Sequence, residues 1–254
     1  MTEGTYLNGT SPTSRRKFLA GSAAALAGGA LLAVPGVAKA HKPPDPPTDI
    51  DILNYALTLE HLEAVFYIRG LAKVGKGDFK RYSNNRRYMR QGIEGLEGEE
   101  VRSEFAAIRE HEKTHVKTLQ SMIRDLGGKP VPECTYNFNK TAFTSLGRFL
   151  AVARLLENTG VKAYDGAIAH VEAEPLLTAG ATIATVEARH ASYLNLINGY
   201  QPFPSAFDDP VAPRTICKKV QAVNGGFIVR CPEPYGPYRD LDTLCNRLPN
   251  KPTP

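Results

Sequence analysis

The 254-residue chain has no apolar run that reads as an ordinary membrane span. Its candidate, residues 18–34, is about 17 residues long and dotted with Gly21, Gly28 and Gly29, short and weakly apolar against the roughly 20 residues that a bilayer requires. The chain also lacks a strong excess of one charge. Its formal net charge is +5; residues 1–40 carry Arg15, Arg16, Lys17, Lys39 and Glu3, a net of +3, so the remainder stands at +2. That is no footprint for nucleic acid, and the cluster Lys80, Arg81, Arg86, Arg87 and Arg90 reads as the solvated face of a connection. There are four cysteines and no Cys-x-x-Cys, which disfavours metal ligation by thiolates. What remains is an ordinary globular composition, 42% hydrophobic and 22% charged.

The first forty residues are not counted as fold. Ser14-Arg15-Arg16-Lys17-Phe18-Leu19, the apolar run after it and the small-x-small triplet Ala38-Lys39-Ala40 resemble a twin-arginine export signal cleaved after Ala40. Such a signal implies a periplasmic or otherwise extracytoplasmic protein, exported folded, with no stable membrane span after cleavage. The expected organisation is a signal over 1–40, a proline-rich linker over 41–48, a helical bundle over 49–199 and a Pro/Cys-rich extension over 200–254.

Four helices are expected within the bundle. The first starts at Asp49 or Asp51 as N-cap and runs to Lys73, where Gly75 and Gly77 stop it; Ile52, Tyr55, Ala56, Leu59, Leu62, Phe66 and Leu71 form its apolar stripe. A polar connection follows, with at most a short helix near Arg86 to Gln91. The second helix covers about Gly98 to Leu126, the third about Thr141 or Thr144 to Val171, and the fourth about Leu176 to Ile197 after a break at Glu174-Pro175. A helix of 25 residues is about 38 Å long, and the roughly 14 residues from Gly127 to Lys140 extend to about 46 Å, enough to run back along the bundle. The link between helices three and four is too short for anything but an antiparallel turn.

Chemistry enters with Glu112-Lys113-Thr114-His115. Glu and His three apart on a helix share a face, and a carboxylate with an imidazole suits a transition metal. One such pair is common by chance. A second, Glu187-Ala188-Arg189-His190, lies in the fourth helix, and Glu60 and Glu157 sit near the middle of the first and third. The order Glu, Glu-x-x-His, Glu, Glu-x-x-His is that of helical bundles holding two carboxylate-bound metal ions. Four carboxylates with two neutral imidazoles are neutralised by two divalent ions; without them several carboxyls must take up protons. Tyr67 and Tyr164 each stand seven residues after Glu60 and Glu157. Each is open to two readings, a core aromatic or a hydrogen-bond donor to a metal-binding glutamate. Glu110, His111, His61 and His170 fall outside the frame and are expected at the surface.

Leu53-Asn54-Tyr55-Ala56-Leu57-Thr58-Leu59-Glu60-His61-Leu62-Glu63-Ala64-Val65-Phe66-Tyr67 resembles the first helix of ferritin-like domains, in particular the exported branch that includes desiccation-related proteins. The resemblance covers about residues 49–199 and implies an all-α, ferritin-like four-helix bundle with a long crossover between its second and third helices. It implies Glu60, Glu112, His115, Glu157, Glu187 and His190 as ligands of two divalent metal ions, iron in preference to manganese, with Glu112 and Glu187 bridging and Glu60 and Glu157 at the ends. Glu63 then supports the ligands or substitutes for one. The activity implied is redox chemistry with dioxygen or peroxide, as in ferroxidase centres. A manganese catalase and a non-catalytic, metal-stabilised stress protein are the alternatives. A homo-oligomer is compatible with the resemblance, while nothing argues for a storage cage.

Beyond Tyr200 the composition turns to Pro, Gly and Cys. Residues 218–223 and 227–230, separated by Asn224-Gly225-Gly226, read as a hairpin flanked by Cys217 and Cys231. An even cysteine count in an exported chain points to disulfides, and the expected pairs are Cys217 with Cys231 and Cys134 with Cys245.

Overall fold

The structure, a computed structural model, describes residues 47–83, 98–138 and 142–252. The expected export signal, most of the proline-rich linker, the short helix near Arg86 to Gln91 and the basic residues Arg86, Arg87 and Arg90 lie outside these residues. Of the same basic cluster, Lys80 pairs with Glu99 at 3.3 Å on the exposed surface.

Four long helices make the bundle: α1 (Asp49–Lys73), α3 (Gly98–Asp125), α4 (Leu146–Ile168) and α5 (Glu174–Ile197). A shorter α2 (Lys76–Ser83) follows α1, where the polar sequence predicts a connection without helix. Two local causes explain it: the Asp78 carboxylate accepts the Gly75 N–H at 3.0 Å, and Phe79 is driven into the core against Phe105.

The N-cap of α1 is Thr48, one residue before Asp49 and three before Asp51, the two expected caps. Its hydroxyl accepts the Asp51 N–H and the Asp51 carboxylate accepts the Thr48 N–H, a reciprocal capping box. Asp49 is thereby free for a different task. Its two carboxylate oxygens accept the N–H groups of Glu172 and Ala173 at 2.7 and 3.1 Å, at the start of α5, whose own N-cap Ala173 has no side chain able to do so. Pro175 stands in the first turn of α5, where a missing N–H costs nothing, so Glu174-Pro175 opens that helix as well as ending the turn before it.

α3 ends where expected. Gly127, at φ 74°, takes the left-handed position, and the Gly128 N–H reaches back to the Ile123 carbonyl at 2.8 Å, closing a Schellman cap. The crossover from Leu126 to Ser145 carries β1 (Thr135–Tyr136), and Ser145 caps α4 through the Arg148 N–H. α4 and α5 are joined by residues 169–173 alone, which makes them antiparallel neighbours. Among the described residues no helix is long and apolar enough to cross a membrane.

The extension contributes α6 (Pro213–Lys219), a 3-10 turn over Ala222–Asn224, β2 (Ile228–Arg230) and α7 (Leu241–Arg247). The chain does reverse at Asn224-Gly225-Gly226, with Gly225 at φ 86° and the Ile228 N–H donating to the Val220 carbonyl at 2.9 Å. The first expected strand is nevertheless reduced to an isolated bridge of Gln221 with Ile228 between the end of α6 and the 3-10 turn, and β2 takes β1 of the crossover as its antiparallel partner, Thr135 opposite Arg230. That register corrects the expected disulfides. The residues flanking the pair 135/230 are Cys134 and Cys231, and they are bonded; α6 and α7 pack together and bring Cys217 to Cys245. Proximity along the chain favoured a Cys217–Cys231 bridge, and pairing with a distant strand overrode it.

The extension also explains why α1 is buried on every side from Asp51 to Tyr67 rather than along one stripe. Arg247 makes a two-pronged ion pair with Asp51 at 2.9 and 2.8 Å, and Tyr238 donates to the same carboxylate at 2.8 Å. Thr58 and Tyr235 share a hydrogen bond at 2.9 Å, and Asn54 accepts the Val131 N–H from the crossover at 2.8 Å. Polar residues on the face of α1 that a simple bundle leaves in water are thus paired under this cover.

Candidate metal centre

Each of the four bundle helices carries its glutamate into the same interior point. Glu60, Glu112, Glu157 and Glu187 are all 0% exposed, with His115 and His190 at 8% and 6%. The helical spacing accounts for this. Glu112 and His115 lie on one face of α3, Glu187 and His190 on one face of α5, and both faces turn toward Glu60 and Glu157.

The six residues form two overlapping groups, Glu60, Glu112, His115 and Glu187, and Glu112, Glu157, Glu187 and His190, whose donor atoms lie within 4.8 Å of one another. Nδ1 of His115 stands 3.2 Å from Glu60 Oε2, 3.2 Å from Glu112 Oε2 and 3.1 Å from Glu187 Oε1. Nδ1 of His190 stands 3.1 Å from Glu112 Oε1, 3.1 Å from Glu157 Oε2 and 3.8 Å from Glu187 Oε2. Glu112 and Glu187 therefore each send one oxygen to either group, while Glu60 and Glu157 belong to one group apiece.

Hydrogen bonding does not account for this arrangement. One N–H cannot satisfy three carboxylates, and Glu112 Oε1 and both oxygens of Glu187 are buried without a hydrogen-bond partner. Unpartnered carboxylate oxygens at zero exposure are costly. Donor atoms about 2.1 Å from a shared cation at tetrahedral or octahedral angles stand about 3.0–3.4 Å apart, which matches five of the six spacings. The donor set fits cations, and two positions are the natural reading of two groups sharing two residues.

The titration behaviour follows from crowding. Burial, with Glu157 nearby, raises the Glu112 carboxyl to about 7, and burial with Glu187 nearby raises Glu157 to about 8. Burial pushes Glu60 the same way, but the hydrogen bond it accepts from His115 and the charge of His115 prevail and hold it below the ordinary carboxylate range. Burial opposes charge on His190 as well, yet Glu112, Glu157 and Glu187 raise it to about 12; His115 is raised by its own carboxylate neighbours in the same manner. Without cations, the site holds itself together with protons.

Both tyrosines donate to the terminal glutamates, and they do so crosswise: Tyr67 of α1 to Glu157 Oε1 of α4, and Tyr164 of α4 to Glu60 Oε1 of α1. Burial and those carboxylates keep both phenols protonated, so each remains a donor. Glu63 lies beside the cluster, 4% exposed, its carboxyl raised well above the usual range by burial and then by Glu187, Glu157, Glu60 and Glu112. Room for it comes from Gly160, where a Cβ would stand 3.3 Å from Glu63 Oε1 and 3.4 Å from Glu187 Oε2.

A family model described as a ferritin-like domain matches residues 48–199, more than half of the chain. The chain belongs to the ferritin-like family. No curated protein matches the sequence.

Among the residues that this ferritin-like chain was expected to leave at the surface, Glu110 is exposed and paired with Arg109 and Lys113, and His170 is half-buried. His61 is the correction. It is 7% exposed and hydrogen-bonded to the backbone of Val131 in the crossover, and nothing in the periodicity of α1 announces that cover. His111 is exposed, as expected, yet its Nδ1 lies 2.9 Å from Nε2 of His190. The sequence spacing of 79 residues carries no signal for that contact.

Proposed function

We propose that the protein binds two divalent metal ions through Glu60, Glu112, His115, Glu157, Glu187 and His190, with iron as the working metal, and acts as an exported oxidoreductase. The carrying observation is the division of the Glu112 and Glu187 oxygens between two histidine-centred groups, with three of those four oxygens otherwise unpartnered. When bound, an iron pair supplies electron transfer to dioxygen or peroxide. The chain's part is to bind and orient. Glu112 and Glu187, with oxygens in both groups, would be shared between the two ions, Glu60 and Glu157 would each hold one, positioned by Tyr164 and Tyr67, and burial excludes bulk water. In the ion-free site burial and the four neighbouring carboxylates favour a proton on Glu63.

Two disulfides are compatible with an oxidising, extracytoplasmic location. We take residues 1–40 as a twin-arginine signal, 41–48 as a linker and 200–254 as a cover on the bundle, with stress protection of the desiccation-related kind as the biological setting. The deciding experiment is metal analysis of protein purified from its export compartment, followed by Fe(II) oxidation kinetics under air. Two iron ions per chain and oxidation much faster than in buffer support this function. Two manganese ions with peroxide disproportionation replace it with a catalase, and bound metal with no rate enhancement leaves a structural site.

A further inference from the structure

The histidines of the two Glu-x-x-His pairs are not equivalent. The ring of His111 lies edge to edge with that of His190, centroids 5.2 Å apart and planes 8° from parallel, with Nδ1 of His111 2.9 Å from Nε2 of His190. The opposite nitrogen of His190, Nδ1, is the one that faces Glu112, Glu157 and Glu187. His115 has no counterpart to this arrangement: its ring contacts among the described residues are made by Nδ1 to Glu60, Glu112 and Glu187. The residue before Glu112 is His111, whereas the residue before Glu187 is Val186, whose side chain makes no hydrogen bond.

Proton counting gives the contact a direction. A neutral imidazole carries one N–H, so a His190 that lends Nδ1 to a cation has its proton on Nε2. Nε2 then donates, Nδ1 of His111 accepts, and the proton of His111 sits on its own Nε2. A metal-bound imidazole whose far N–H is held by an acceptor is fixed in tautomer and in ring orientation, and is made a better ligand.

We propose that His111 is a positioning residue for His190, accepting its Nε2–H so that the ion on the Glu157/His190 side is held more firmly than the ion on the Glu60/His115 side. This rests on the two-metal reading above. It makes the centre asymmetric although its six ligands repeat.

The test compares wild type, His111→Phe and His111→Gln with Zn(II) alone as the probe, a diamagnetic ion of suitable size. Calorimetry reads the two binding steps and long-range proton–nitrogen NMR reads the His190 tautomer. Phenylalanine keeps a flat ring beside His190 but offers no acceptor; the glutamine carbonyl restores one. Expected are two unequal steps in wild type, one step weakened about tenfold or more in His111→Phe with the other unchanged, and recovery in His111→Gln. The Nε2-protonated form of His190 is expected in Zn(II)-loaded wild type. Two steps unaltered in His111→Phe, or equal losses in both variants, overturn the role of His111 while leaving the two-metal reading in place. Wild type that binds no Zn(II), Mn(II) or Fe(II) overturns both.

Discussion

The phenol of Tyr67 donates to the carboxylate of Glu157, 90 residues further along the chain, and so ties the first bundle helix to the third at the level of the buried carboxylate cluster. Tyr164 returns the bond to Glu60 across 104 residues. Each half of the bundle thus holds the terminal glutamate of the other half. A tyrosine seven residues after a glutamate on the same helix is two turns away, about 10.5 Å along the axis, too far to reach it; a neighbouring helix brings the partner close.

Tyr67→Phe is expected to leave Glu157 Oε1 buried without its donor, costing about 1–3 kcal/mol of apo-protein stability. It is also expected to weaken metal binding on the Glu157/His190 side by about tenfold, with helix content unchanged. Tyr164→Phe does the same on the Glu60/His115 side. Thermal melts and metal titrations of the two variants check this, and identical losses at both ions from either change would argue against the crossed arrangement.

The six metal-binding candidates were legible because a helix converts spacing into direction. Glu112 with His115 and Glu187 with His190 are local facts, and four helices with one long and one short connection leave few ways to assemble them. The tail was not legible for the same reason inverted. The partner of β2 lies 92 to 95 residues away in the crossover, and no local pattern between Ile228 and Arg230 names Thr135. The disulfides inherited that error. The burial of His61 and the contact of His111 with His190 are likewise products of packing between distant segments.

Peptide mapping under non-reducing conditions is expected to give Cys134–Cys231 and Cys217–Cys245. The sequence separations are 97 and 28 residues, so on the chain-entropy account losing the first bridge costs about 4.7 kcal/mol and losing the second about 3.6 kcal/mol. Melting of the paired Cys→Ser variants reads the difference. A larger fall for Cys217→Ser/Cys245→Ser would show that strain or residual unfolded structure, not loop closure, sets the scale.

Arg247→Ala removes the two-pronged partner of Asp51, which is 3% exposed. Asp51 keeps its bonds from Thr48 and Tyr238, but a buried charge loses its counter-charge, and the expected cost is about 3 kcal/mol. Because α7 is one of the elements laid over α1, hydrogen exchange is expected to rise first in Leu241–Arg247 and at the Asp51 end of α1. Uniform loss of protection across the bundle would mean that the extension is part of one cooperative unit with it.

The apo-protein is expected to lose stability as pH rises from about 5 to 8, the reverse of an ordinary acid transition. Glu112 and Glu157 take their protons off at about 7 and about 8 in the fold, against an ordinary value of 4.5. The folded state therefore binds more protons than the unfolded state across that window, and stability falls with each step upward in pH. These two carboxyls contribute fully below the unfolded value and lose that contribution as pH passes the folded ones. The raised histidines act with the same sign, from 6.5 upward for His190. Metal inverts the dependence, because cations replace the protons and must compete with them for the same oxygens. Melting temperatures between pH 5 and 8 are expected to fall for the chelated protein and to hold or rise for the protein in excess Mn(II), with proton release accompanying the titration. If the two curves run parallel, the buried carboxylates are not where the ions bind.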